Sequence, residues 1–277
     1  MLKHNKTSLL FIPPSSTTPP LPITGRQTAG CYAGILGDCD GNGLTAEHYI
    51  SKNILKEIGN NFLLRGFPWL PPEGKEIGIN SMTANILCKR HNNALSSLDT
   101  EAGKLFKCIK DIILETTKQK FYSFNGYDIE RWLIKLFLGL LSSKNTTSGL
   151  EGITPSLPST EIKIRLLKTL FSGPAPAGKE NFAILYRQEE RKKNDPLRIS
   201  CPINTTTKNY DHVIAEFMFL GFVFSLEPIS FGSNYQSCNR LHQITFNNAH
   251  TIRLFWNYTD TPSRTLHFQI KQNSKNN

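Results

Sequence analysis

No stretch of the 277-residue chain stays apolar for the ~20 residues that a membrane-spanning helix needs. The patch Leu9–Ile12 is too short for the core of a secretory signal, and Pro13 and Pro14 cut it off. The expectation is an intracellular, cytoplasmic protein with no membrane partner. Cysteine is also sparse: six in a chain of this length do not make a disulfide scaffold. In a reducing compartment, clustered cysteines are more often metal ligands, and isolated ones pack as small hydrophobes. Cys108, Cys201 and Cys238 stand alone and are expected in the core. No internal repeat is present, and the C-terminal half carries no catalytic motif. A zinc deaminase is excluded because its H-x-E and P-C-x-x-C signatures are missing.

Acidic residues are outnumbered, with 22 Asp and Glu against 32 Lys and Arg, which leaves a formal charge of +10. Such a balance suits a polyanionic partner, nucleic acid first, because basic side chains gain by releasing counterions from phosphates. An anionic membrane surface is the weaker alternative, since no strongly basic amphipathic helix is evident.

What is present is concentrated between Cys31 and Asp99. Cys31 and Cys39 come first, with Gly34 and Gly37 between them to allow tight turns. Asp38, Asp40 and Asn42 followed by Gly43 suggest a calcium loop, but its twelfth position is Tyr49 where a bidentate Glu is required. Gly41-Asn42-Gly43 is better read as a hairpin turn. A strand-like piece, Leu44–Ile50, carries the couple Glu47-His48. Residues 51 to 82 form a long excursion, mostly loop, with one helical turn near Asn53–Ile58. A returning strand, Thr83–Leu87, leads into Cys88-Lys89-Arg90-His91-Asn92-Asn93. Apolar residues then recur at helical spacing from Leu95 to Ile113, with Asn92 or Asn93 placed as N-cap.

This order of a cysteine pair, an acid–histidine couple and a C-x-x-H-N knuckle opening a helix resembles the zinc-stapled branch of the HNH endonucleases. The site of that family is a ββα-metal finger. The resemblance implies a metal-dependent endonuclease acting on nucleic acid, DNA first, in bacterial defence or mobile-element biology. It implies that His48 is the general base and Glu47 the preceding ligand of a catalytic divalent ion, magnesium first. Asn92 matches the helix ligand of that ion. Asn85 is the candidate for the family's middle Asn, which steadies the histidine, with Asn80 behind it. Cys31, Cys39, Cys88 and His91 would form a closed, structural Cys3His zinc site. His91 is assigned to zinc on the knuckle spacing, and the catalytic ion is its other place. Lys89 and Arg90 are the best candidates for a phosphate contact, ahead of Arg65 and Lys75. The other reading of the same residues is a zinc finger that binds nucleic acid without cutting it.

The fold class expected is α+β. Residues 1–28, rich in proline, read as an extended arm whose Lys3, His4 and Lys6 are solvated. Residues 29–143 read as the HNH-like domain with its following helices, including one from Asp128 to about Ser142. Residues 144–160 read as a linker. Residues 161–277 begin with a helix, Glu161–Phe171, and continue as a β-rich α+β domain with strands near 182–186, 197–201, 217–226, 242–246, 251–256 and 265–270. That half is the expected place for a homodimer contact or a partner protein.

Overall fold

A computed structural model describes residues 13–64, 70–114, 121–143, 160–172, 182–188, 197–200, 215–220, 222–228, 241–246, 250–255 and 264–268. Within them the chain is an α+β protein. Lys3, His4, Lys6, Arg65, Cys201, Cys238 and nearly all of the expected linker lie outside the described residues.

The centre of the N-terminal half is a long-range strand pair followed directly by a helix. Strand β1 (Leu44–His48) lies antiparallel to β4 (Thr83–Cys88), and Cys88 is followed without a break by α2 (Lys89–Leu114). The ladder sets Glu47 opposite Ala84 and His48 opposite Thr83, with a register irregularity between Thr45 and Ala46. Helix α2 begins earlier than expected, so Asn92 sits inside its first turns rather than at its cap. The capping acceptor comes from far away in sequence: the Asp40 carboxylate accepts the backbone N–H of Arg90 at 3.2 Å. The apolar stripe of α2, Leu95, Leu98, Ala102, Leu105, Phe106, Ile109 and Ile112, is buried as its spacing predicts.

The excursion between the strands has more structure than its proline and glycine content suggests. Helix α1 (Lys52–Ile58) is followed by an antiparallel pair, β2 (Asn61–Leu64) and β3 (Lys75–Gly78). A 3-10 turn, Ile79–Ser81, then delivers the chain to β4. Gly41-Asn42-Gly43 does not close a hairpin. It is a bend with both glycines at positive φ (78° and 85°), turning the chain from Cys39 into β1.

Strand β5 (Phe121–Asn125), absent from the sequence reading, leads into α3 (Gly126–Ser143). The Asn125 side chain accepts the Tyr127 N–H at 3.0 Å and caps that helix. Every residue of α3 from Gly126 to Leu141 is buried, including Asp128, Glu130, Arg131 and Lys135. Helix α4 (Thr160–Ser172) packs on it.

Beyond α4 the strands fall close to the expected places. β6 (Phe182–Gln188), β7 (Leu197–Ser200), β8 (Ala215–Phe219) and β9 (Phe222–Pro228) form an antiparallel sheet in the order β6-β9-β8-β7. The expected strand 217–226 is two strands, parted by a turn in which Leu220 takes φ 51°. A second sheet, in the order β12-β10-β11-β5, joins β10 (Leu241–Phe246), β11 (Thr251–Phe255) and β12 (Arg264–Phe268) to the N-terminal β5. β11 and β5 run parallel, Thr251 opposite Phe121 through Phe255 opposite Asn125. Phe106 of α2 meets Phe217, Phe219 and Phe224 at centroid distances of 5.0, 5.1 and 5.3 Å. The expected division after residue 143 therefore does not separate two cores: the buried residues of both halves form one cluster.

The proline-rich arm is extended but not free where it is described. Ser15 donates to Asp128 through its backbone N–H (3.0 Å) and hydroxyl (2.7 Å). Buried Thr17 donates to the Leu170 carbonyl at 2.6 Å and accepts from Arg131 at 2.8 Å. The segment straps α3 to α4 because its hydroxyls and carbonyls satisfy a buried Asp128–Arg131 pair that α3 alone leaves incomplete.

Candidate metal centre and the adjoining polar cluster

Cys31, Cys39, Cys88 and His91 converge. All four are buried, and their ligand atoms lie within 4.8 Å of one another. His91 Nδ1 lies 3.6 Å from Cys31 Sγ, 3.8 Å from Cys39 Sγ and 3.2 Å from Cys88 Sγ. Zinc bonds of about 2.3 Å to sulfur and about 2.0 Å to nitrogen give tetrahedral S···N edges of roughly 3.5 Å. The cluster thus has the dimensions to hold a metal ion such as zinc.

Local structure explains how four distant residues meet. A 3-10 turn, Gly34–Leu36, closed by Gly37 at φ 71°, folds the chain so that Cys31 and Cys39 face one point. The Tyr32 N–H binds the Ile86 carbonyl at 3.0 Å, which pins that turn to β4. Asp38 and Asp40 flank Cys39, and both grip Arg90: Asp38 pairs with its guanidinium at 3.1 Å, and Asp40 takes its backbone N–H. Arg90 also donates to the Pro22 carbonyl at 3.0 Å. Its side chain is therefore part of the clasp and is not presented to a phosphate, whereas Lys89 is exposed.

Electrostatics fit a metal centre. Burial pushes the Cys31 thiol up to about 12, with the Cys39 and Cys88 sulfurs adding to the effect, and burial raises Cys39 as well. Burial lowers the pKa of His91 and so favours the neutral ring, the form that can offer Nδ1 to a metal ion. Three sulfurs this close need a cation to hold them as thiolates, and a metal ion would supply it. His91 packs against Phe171 at a centroid distance of 5.0 Å with the ring planes tilted by 60°. With Nδ1 turned to three sulfurs, His91 belongs to this centre and not to a second ion.

The predicted hydrolytic residues lie beside the centre. His48, at the end of β1, is half-buried. Burial lowers its pKa from 6.5, with Lys52 and Lys135 acting in the same direction. The ring hydrogen-bonds the backbone at Ile79, and its Nε2 has no partner. Asn85 is exposed on β4 opposite Ala46, and Asn80 is exposed in the turn next to Ile79. The described hold on His48 is thus a backbone group of the Ile79–Ser81 turn rather than the Asn85 amide.

Glu47 points the other way, into the protein, and is 4 % exposed. It forms an ion pair with Lys135 of α3, and Lys135 also holds Asp99 with both carboxylate oxygens at 2.8 Å. Asp99 further bonds the Ser51 hydroxyl, which accepts the Trp132 indole N–H at 2.6 Å. Asn92 donates its amide N–H to Thr45 at 3.0 Å. Burial raises the pKa of Glu47, and the nearness of Asn92 has a smaller, lowering effect. Glu47 and Asn92 do meet, as expected. Glu47 is already paired with a buried ammonium and Asn92 is engaged with Thr45, so as they stand they do not fit a divalent ion. Sequence reasoning missed Lys135, Asp99 and Lys52. Lys52, four residues after His48, was the only one with a local signal.

Among the described residues no helix is long and apolar enough to cross a membrane. No family model matches the chain, and neither a curated protein nor a solved structure does.

Proposed function

We propose that this protein is an HNH-type endonuclease that hydrolyses phosphodiester bonds in nucleic acid, DNA first, around a zinc-stapled ββα finger. The observation that carries the reading is His48. It ends the first strand of a strand–strand–helix unit clasped by a Cys3His cluster, with one side of its ring on a backbone group and Nε2 unpartnered. A neutral imidazole can serve as a general base: Nε2, buried as the chain stands, would take a proton from a water admitted with the substrate as the water oxygen attacks phosphorus and the P–O bond to the departing sugar oxygen breaks. Lys52 and exposed Lys89 supply positive charge for the phosphate. Magnesium is the ion the resemblance implies, with Glu47 and Asn92 as its holders. Because that pair does not fit it here, no step is assigned to it.

A second reading, a zinc finger that binds nucleic acid without cutting it, is favoured by the engagement of Glu47 with Lys135. Plasmid cleavage by wild type and His48→Ala side by side separates the two. Nicking that disappears in the variant, with zinc content and fold unchanged, supports the nuclease. Salt-sensitive DNA binding with no cleavage by either protein supports the binding module.

A further inference from the structure

We propose that Lys135 is the resident cation of the Glu47 site, its ammonium standing where a finger of this kind would hold a divalent ion. The inference rests on reading the β1–β4–α2 unit as an HNH-type finger, and it changes what that finger needs in order to work. Three elements deliver the groups: Glu47 from β1, Asn92 and Asp99 from α2, and Lys135 from α3. An ammonium has three donors. Here the ammonium donates to both Asp99 oxygens and lies in ion-pair contact with Glu47 Oε1, an oxygen that has no well-formed hydrogen bond among the described residues.

The lysine cannot step aside for an incoming ion as a surface lysine would. Its side chain is 3 % exposed on a helix buried along nearly its whole length. Its partner Asp99 is fixed in turn by Ser51 and, through Ser51, by Trp132. A divalent ion at Glu47 would sit at contact distance from a fixed positive charge, in surroundings that screen poorly. Asn92 turns its amide N–H to Thr45 at 3.0 Å, so its side chain is already engaged beside Glu47. A hard cation needs oxygen ligands and tolerates few protein donors that are already matched.

The test uses the full chain loaded with zinc and manganese as the probe for a second ion. Binding is read by electron paramagnetic resonance, and position by paramagnetic broadening of the His48 ring signals. Wild type is expected to bind no manganese at this site and to keep whatever nuclease activity it has when free divalent ions are chelated without stripping zinc. Lys135→Met is expected to gain one equivalent of manganese that broadens His48. Lys135→Met combined with Glu47→Gln, which removes the carboxylate along with the ammonium, is expected to lose it again. If Lys135→Met folds only when manganese is present, the proposal is equally supported. One equivalent of manganese beside His48 in the wild type overturns it, and so does a folded Lys135→Met that binds none. Should Lys135→Met fail to fold under all conditions, the wild-type measurement decides. A wild type that neither binds manganese nor cleaves nucleic acid sinks the nuclease reading and leaves the role of Lys135 standing.

Discussion

At the residue scale the molecule separates two kinds of ionisable group. Among the described residues the zinc-type ligands are buried with no lysine or arginine paired to their sulfurs, whereas the Glu47 carboxylate is buried with an ammonium paired to it. Cys88→Ser should therefore lose the metal outright, because a hydroxyl is a poor replacement for a thiolate. Structural zinc in finger peptides contributes about 10–16 kcal/mol of apparent binding free energy, so the variant should melt well below wild type. Zinc stoichiometry and thermal unfolding check both parts. His48 gives a pH prediction. Its folded pKa lies below its ordinary 6.5, so the unfolded ring takes up a proton first as pH falls. The contribution of the neutral ring is complete above 6.5 and is lost as pH drops below it towards the folded value. Wild type should lose more melting temperature than His48→Gln between pH 7.5 and 5.5, and equal losses would show that the ring is not held neutral. Zinc release in acid affects both proteins alike, so the difference isolates His48.

Elements explain which parts of this were legible in the chain. Cys31, Cys39, Cys88 and His91 could be grouped from sequence because residue type and order suffice when only a metal ion makes four such side chains useful together. The helical stripe of α2 was legible for a similar reason: periodicity is local. The cap of α2 was not, because the acceptor is Asp40 and not the local Asn92 or Asn93. Lys135 was equally hidden: in sequence it is one more charge on a helix, and only the packing of α3 against β1 and α2 makes it the partner of Glu47. Packing this close leaves its own signature in glycine. A Cβ on Gly103 of α2 would lie 2.6 Å from the Asn53 Cβ of α1, where no flexible side-chain tip can yield. Gly103→Ala should cost about 1–3 kcal/mol as an overpacked contact, measured by denaturant unfolding, and should shift the amide signals of α1, including Lys52, more than those of β8 and β9.

For the whole molecule, the question is whether the two halves unfold as one. Phe106 touches Trp132 and three phenylalanines of the C-terminal strands. Phe106→Ala should destabilise by about 3–5 kcal/mol and move a single calorimetric transition as a unit. Two transitions, with only one displaced, would mean independent domains. The arm binds the same body together from outside. Thr17→Val keeps the shape but removes the acceptor for Arg131 and the donor to Leu170, and should cost about 1–3 kcal/mol. Faster hydrogen exchange across α4 would locate the loss.

The parallel pairing of β5 with β11 bears on how the chain is made. On the ribosome, residues 121–125 emerge long before residues 251–255. Until β11 has been made, β5 therefore has no sheet partner on either edge. An unpaired edge is a template for the wrong partner. The chain should thus be most prone to aggregate when translation stalls after β5, and less prone once β11 has been released to cover one of its edges.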